Sequence, residues 1–195
     1  MQVFLETERL VLRRFTEADL DNLFDLDNDL DVMRFLNGGK PTPRDVIRDE
    51  TLPALLRDYA RFAGYGRWAA IEKATGDFVG WFSFRLREEA DRHEADEVEL
   101  GYRLRKAAWG KGYATEGARA LIHKGFTELP VGRVVAHTMT VNTASRRVME
   151  KAGLTLVRTF WQEWPDVIVG GEQGDVEYAL SQADWERREA AGHEI

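Results

Sequence analysis

A strand-like run, Val98 to Leu104, is followed by Trp109-Gly110-Lys111-Gly112-Tyr113-Ala114 and then by a helix-like run from Thr115 to Phe126. Two glycines two residues apart let the backbone turn where a side chain would block it. The N–H groups of such a turn can converge on an anion, and the helix start that follows adds unpaired donors and its dipole. The segment reads as a phosphate cradle inside an α/β arrangement. The common nucleotide cradles do not fit it. A dinucleotide fold wants a third glycine where Thr115 stands and an acidic residue after the next strand, near Thr138. A Walker loop wants GxxxxGK[ST], and Gly39-Lys40 is followed by proline.

The flanking pattern supplies the other elements. Glu8 to Phe15 reads as a strand with basic Arg13 and Arg14. Thr16 opens a helix, with Asp19 three residues on and Leu20, Leu23 and Phe24 at helical spacing. Asp25 to Asp31 is acidic and loosely patterned, and Asn37-Gly38-Gly39 is a loop. Thr42-Pro43 starts a second helix that Pro53 should kink or restart, with Leu52, Leu55, Leu56, Tyr59 and Phe62 toward the core. Strands follow at Arg67 to Glu72 and Phe78 to Leu86, joined by a turn at Gly76, with Phe78, Phe82, Phe84 and Leu86 expected on one face. In the next strand Val98, Leu100, Tyr102 and Leu104 share a face, and Glu97, Glu99 and Arg103 share the other. Ala118, Leu121, Ile122 and Phe126 make the apolar stripe of the helix after the glycines. Arg133 to Val141 is a strand, and Thr143 to Ala152 a helix closed by Gly153. Strands near Leu154 to Trp161 and Gly174 to Ala179 precede a polar helix from about Gln182. The order βααβββαβαββ predicts an α/β fold with a mixed sheet.

Composition narrows the function. The 195 residues, 44% of them apolar, suit one domain spanning 1–195 with a real core. No cysteine is present, which excludes disulfides, thiolate metal sites and a cysteine nucleophile. His93, His123, His137 and His193 are scattered without metal-ligand spacing, so no metal is expected. The net charge of −7 argues against nucleic acid and anionic membrane as partners and suits a cationic substrate such as an amine. No apolar run is long enough to span a bilayer, and the first residues lack a signal-peptide layout. A cytoplasmic location is expected.

Three blocks together carry a family resemblance. Glu99-Leu100-Gly101-Tyr102-Arg103-Leu104 and Trp109-Gly110-Lys111-Gly112-Tyr113-Ala114-Thr115-Glu116 resemble the acetyl-CoA signature of the GNAT N-acetyltransferases, Q/R-x-x-G-x-G/A. Gly112 and Ala114 match its last two fixed positions, and Trp109 stands at the first. That departure resembles the branch of ribosomal-protein-alanine N-acetyltransferases. Asn142-Thr143-Ala144-Ser145 with Glu150-Lys151-Ala152-Gly153-Leu154 fits the same branch, as does Thr7-Glu8-Arg9-Leu10.

The resemblance implies a mixed, mostly antiparallel sheet of about seven strands, flanked by helices and splayed between strands four and five. It implies acetyl-CoA as co-substrate, with pantetheine against the backbone of Arg103, Leu104 and Arg105. The amides of Trp109, Gly110, Lys111, Gly112, Tyr113, Ala114 and Thr115 would hold the pyrophosphate. Asn142, Ser145, Arg147 and Lys151 would reach the cofactor, with Arg146 a further candidate for its phosphates. It implies direct transfer to an amine, on a protein N-terminus or a small molecule, by a monomer or homodimer. Ser145 matches a proposed proton donor to the thiolate, or else is a first-turn helix residue bonding backbone. Glu99 is the leading base candidate and Glu163 the alternative, each otherwise an outward carboxylate. The stretch Phe160 to Asp166 walls an acceptor pocket, makes a dimer contact, or is a strand running into a turn. A different class is a non-catalytic acyl-CoA sensor.

Overall fold

The computed structural model describes residues 2–61, 64–86, 96–162 and 168–192. Eight strands form one sheet in the order β1-β2-β3-β4-β5-β6-β8-β7. They are β1 (Val3–Glu6), β2 (Leu10–Arg13), β3 (Gly66–Glu72), β4 (Phe78–Leu86), β5 (Glu97–Leu104), β6 (Arg133–Met139), β7 (Thr155–Phe160) and β8 (Asp175–Ser181). Every neighbouring pair is antiparallel except β5 and β6, which run parallel.

One strand more is present than the sequence suggested. The N-terminal strand is a hairpin that turns at residues 7–9 without glycine or proline. Thr7 Oγ1 accepts from the Leu10 N–H at 2.9 Å, a side-chain turn that replaces the missing breaker residues. Thr16 and Asp19 form the expected capping box. It opens a 3₁₀ turn (Glu17–Asp19) ahead of α1 (Leu20–Asp27), and Asp19 also takes a two-pronged contact from Arg13 at 2.7 Å. After α2 (Leu30–Met33) and α3 (Arg44–Val46), Pro53 is accommodated by one π-type turn (Ile47–Thr51) leading into α4 (Leu52–Arg61). The Leu52 N–H reaches back to Ile47 O there, so the chain continues through the proline.

Phe78 does not share a face with Phe82 and Phe84. Ala70 pairs with Gly80 but Ile71 pairs with Phe78, and this bulge reverses the alternation. Phe82 and Phe84 pack under α5 (Tyr113–Glu128), with Leu100, Leu121 and Val134. Phe78 packs with Leu23, Leu26, Ile47, Leu52 and Leu55 from α1 to α4 on the other face. Phe62 lies outside the described residues. The C-terminal half adds α6 (Thr143–Lys151) and α7 (Gln182–Ala190).

Helices thus cover one sheet face broadly and the other only over β3 and β4. On that second face β5 and β6 are paired only at Glu97–Arg133, Val98–Val134 and Glu99–Val135. Beyond Glu99 they separate, and a cleft opens between them. No described helix is long and apolar enough to cross a membrane.

Candidate active site

The cleft holds about 1100 Å³. The glycine loop lies at one end. Gly110 and Gly112 have φ of 75° and 86°, a region other residues rarely enter, and Gly112 is the N-cap of α5. The first helical bond runs from the Glu116 N–H to Gly112 O. Among the described residues, none of the N–H groups from Gly110 to Thr115 has an acceptor. A run of unfilled donors at a helix start, opening on a cleft, has the geometry that suits an anion.

The loop is braced from beneath. Arg9 donates to Lys111 O at 2.9 Å and to Glu116 at 2.7 Å, and its guanidinium covers the Tyr113 ring. The Thr7 hydroxyl bonds Glu116 at 2.6 Å. Burial works against the Glu116 charge, but Thr7 and Arg9 outweigh it and hold the carboxyl below its usual range. It stays ionised, and its charge is offset by Arg9 beneath the loop. The Lys111 side chain is exposed and lies outside the cleft lining.

At the cleft floor the alternation of β5 decides which backbone groups are open. The Arg105 N–H donates to Val79 O at 2.9 Å, so Arg105 and, two residues back, Arg103 direct their backbone to β4. Tyr102 and Leu104 direct theirs into the gap. The expected pairing edge of Arg103, Leu104 and Arg105 therefore narrows to Leu104, with Tyr102 added. Trp109, at the first signature position, lends its indole N–H to Leu104 O at 2.8 Å. The Arg103 side chain instead binds Asp27 and lies over Trp81, and Arg105 covers Phe78.

Asn142 caps α6, accepting from the Ser145 N–H at 3.3 Å and donating to Thr138 Oγ1 at 3.0 Å. Ser145 thus sits in the first turn of α6 and lines the cleft. Its hydroxyl lies 3.0 Å from the Tyr102 hydroxyl, which also donates to Ser145 O. Burial pushes the Tyr102 phenol above its usual range, which keeps it protonated. Arg147 and Lys151 line the cleft, whereas Arg146 turns away to Tyr178 Oη and Thr140 O.

Glu99 lies where the two strands part. It faces Arg85 at 3.6 Å and His137 Nδ1 at 3.7 Å. The other nitrogen of His137 contacts Glu177 at 3.0 Å. Glu97 is buried against Arg133 at 3.1 Å and does not line the cleft. Glu163 lies outside the described residues, as do His93, His193 and residues 164–166. Trp161 is exposed and donates to Glu172 O at 3.3 Å. No described group of acids and histidines could hold a metal.

The His137 environment has a measurable consequence. Burial lowers its pKa, but Glu99 and Glu177 outweigh that, and the net shift is upward from 6.5. The folded state then holds the proton more tightly than the unfolded chain. This stability is complete below pH 6.5 and is lost as pH rises through the folded value. Glu177 works oppositely. Burial raises its pKa, but His137 and Arg158 prevail and leave it below 4.5, so its contribution is lost only in acid. The melting-temperature gap between wild type and His137→Gln should be widest between pH 4.5 and 6.5 and shrink above that. A gap independent of pH would contradict the pairing.

Sequence reading missed three groups here. Thr7 and Arg9 stood in a recognised block but had no role until the hairpin brought them under the loop. Tyr102 read as a core residue, and its hydroxyl reaches Ser145 only because α6 starts beside β5.

Comparison with known proteins agrees with this geometry. Residues 9–155 match the family model described as the acetyltransferase (GNAT) domain. The FsC-acetyl coenzyme A-N(2)-transacetylase of Aspergillus fumigatus is 35% identical over 190 residues, covering 95% of this chain and 79% of that protein. Among solved structures, the ribosomal L7/L12 α-N-protein acetyltransferase RimL, in complex with coenzyme A, superposes with a TM-score of 0.75 at 20% identity, covering 92% of this chain and 98% of that one. Spermidine N-acetyltransferase from Vibrio cholerae, with CoA and spermine, gives 0.72 at 18% identity, covering 91% and 98%.

Proposed function

We propose, for a chain that belongs to the GNAT acetyltransferase family and uses acetyl-CoA, that the acyl acceptor is a primary amine and that transfer to it is direct. The observation that carries this reading is the run of unfilled N–H groups from Gly110 to Thr115, at the end of a cleft that also contains Ser145 and Glu99. The names of the similar proteins support an amine as the common acceptor: an N(2) position, a protein α-amino group and spermidine.

In this reading the Gly110–Thr115 amides take the pyrophosphate, and the open backbone of Tyr102 and the Leu104 N–H pair with pantetheine. Arg147 and Lys151 approach the remaining phosphates. The thioester carbon then lies near Glu99, and its sulfur near Ser145. The ammonium loses a proton to Glu99, directly or through water, and the free amine attacks the carbonyl carbon. The C–S bond breaks, the departing thiolate takes a proton from Ser145 Oγ, and the second proton of the attacking nitrogen, passed directly or through water, restores that hydroxyl. Tyr102 holds that hydroxyl in place. With no cysteine and no activated serine motif, no acyl-enzyme is needed. Initial velocities at varied acetyl-CoA and amine should give intersecting reciprocal plots, and parallel lines would refute direct transfer.

The two roles separate by pH. Ser145→Ala should lower kcat by roughly ten- to a thousandfold with little change in acetyl-CoA affinity. Glu99→Gln should lower kcat/KM mainly at neutral pH and recover as pH rises, because more acceptor is then already neutral. Glu163→Gln is the comparison for the alternative base. Loss in that variant, with Glu99→Gln active across pH, would transfer the role to Glu163.

A further inference from the structure

The acceptor half of the cleft is lined on its sheet face by Trp81, Ser83 and Arg85 of β4 and by Glu99, Gly101 and Arg103 of β5. Arg67 of β3 stands opposite Ser83 on the same face, outside the cleft lining itself but over the Trp81 ring. Two guanidiniums therefore flank Trp81, and a third follows on the same face of β4. Arg103 lies 5.0 Å and Arg67 5.8 Å from its ring centre, and Arg85, four residues along β4, acts on Arg67. Such a concentration is costly unless each cation is paired.

The pairing is incomplete. Arg103 binds Asp27, and Arg85 faces Glu99 at 3.6 Å, a carboxylate shared with His137. Asp58 is the other acid acting on Arg67, without an ion-pair contact. The Arg67 guanidinium makes no hydrogen bond or ion pair among the described residues; its backbone carbonyl accepts from the Tyr59 hydroxyl. Arg85 Nε and Arg103 Nε are buried and donate to nothing described. Burial, then Arg85 and Arg103, push the Arg67 pKa below its usual range, as expected of a cation short of anions.

We propose that Arg67, Arg85 and Arg103 form an oxyanion subsite, and that the acceptor is an amine carrying a carboxylate, the chemistry it shares with a phosphate. The assignment rests on the amine-acetylating reading and adds the substrate class. The anion docks on the planar forks beside Trp81, which suit two-pronged contacts to a carboxylate. Its amine then extends one strand over, across Gly101, toward Glu99. Gly101 adds no side chain to that path, and the Ser83 hydroxyl takes the space there, 2.5 Å from where a Cβ would stand. The overall charge of −7 suits a cationic substrate such as an amine, but the field inside the cleft is set by these near groups, not by the total.

Calorimetry on the protein–coenzyme A complex tests this without turnover. The probes are N-acetylglycine, N-acetyl-β-alanine and N-acetyl-γ-aminobutyrate, their carboxamides, and N-acetylated O-phosphoethanolamine. At least one acid should bind ten- to a hundredfold more tightly than its amide, the range for a charge-assisted contact. Arg67→Met should erase that preference and Arg67→Lys should keep part of it, with coenzyme A binding as the check on folding. Tighter binding of the phosphate than of any carboxylate would support the subsite and assign the anion to phosphate. Equal binding of acids and amides by the wild type, or a preference untouched in Arg67→Met, would overturn it. Acid-selective binding without acetyl transfer to any amine would leave the subsite standing and refute the function proposed above.

Discussion

Gly112→Glu should fold and lose coenzyme A affinity by more than a hundredfold, beyond about 2.8 kcal/mol. Three effects act together. At φ 86° any side chain strains the backbone, by roughly 1–2 kcal/mol. A Cβ would meet Arg9 Nη2 at 3.3 Å, so the brace beneath the loop must give. The new carboxylate would compete for the open N–H groups and repel a pyrophosphate. Gly112→Ala carries the strain without the charge and should lose far less. Calorimetry gives the affinities, and a melting curve shows that each variant is folded. A folded Gly112→Glu with unchanged affinity would remove the pyrophosphate from this loop.

Gly117→Val should damage the fold itself. Gly117 sits inside α5 with its Cα against the Phe82 ring. A Cβ would lie 2.3, 2.6 and 2.8 Å from three ring atoms, closer than atoms can approach. Phe82 is fully buried between the sheet and the helix and has nowhere to move. Gly125 repeats the arrangement over Phe84, at 2.6 Å. Overpacking of this kind costs about 3 kcal/mol, a fall in melting temperature of roughly 10 °C for a chain this size. Adding Phe82→Leu should recover part of the loss, since the two sites compete for one space. An unchanged melting temperature in Gly117→Val would contradict the close packing of α5 on β4.

Much of this architecture could be read from the residues. The spacing of Leu121, Ile122 and Phe126 and the alternation through Val98 and Leu100 place α5 and β5 because burial selects those periods. Features that escaped depend on contacts distant in sequence. Phe78 changed face because a bulge opposite Ala70 shifted the count, and no residue type marks a bulge reliably. The Thr7–Arg9 turn was hidden because a side-chain hydrogen bond does the work of glycine. Gly117 and Gly125 carried a signal that went unread. Each costs a helix interior about 1 kcal/mol against alanine, which argues for a packing reason.

The site divides similarly. The glycine loop was legible because a left-handed backbone nearly demands glycine. Asn142 and Ser145 were legible because helix capping and the family pattern point to the same residues. The arginines on this face of β3, β4 and β5 were not, because they come from three strands and meet only when those strands align. Arg105 was assigned to the cofactor edge because alternation alone does not say which side of β5 faces β4. The bond from its N–H to Val79 O settles that.

The most direct test of the central claim is to mix the purified protein, acetyl-CoA and a panel of primary amines, and follow free thiol and product mass together. The account predicts thiol release that depends on the amine, matched one for one by amine carrying an acetyl group, with no acetylated enzyme on the path. Tight binding of acetyl-CoA with no amine-dependent thiol release across the panel would contradict it and make the cleft an acyl-CoA sensor.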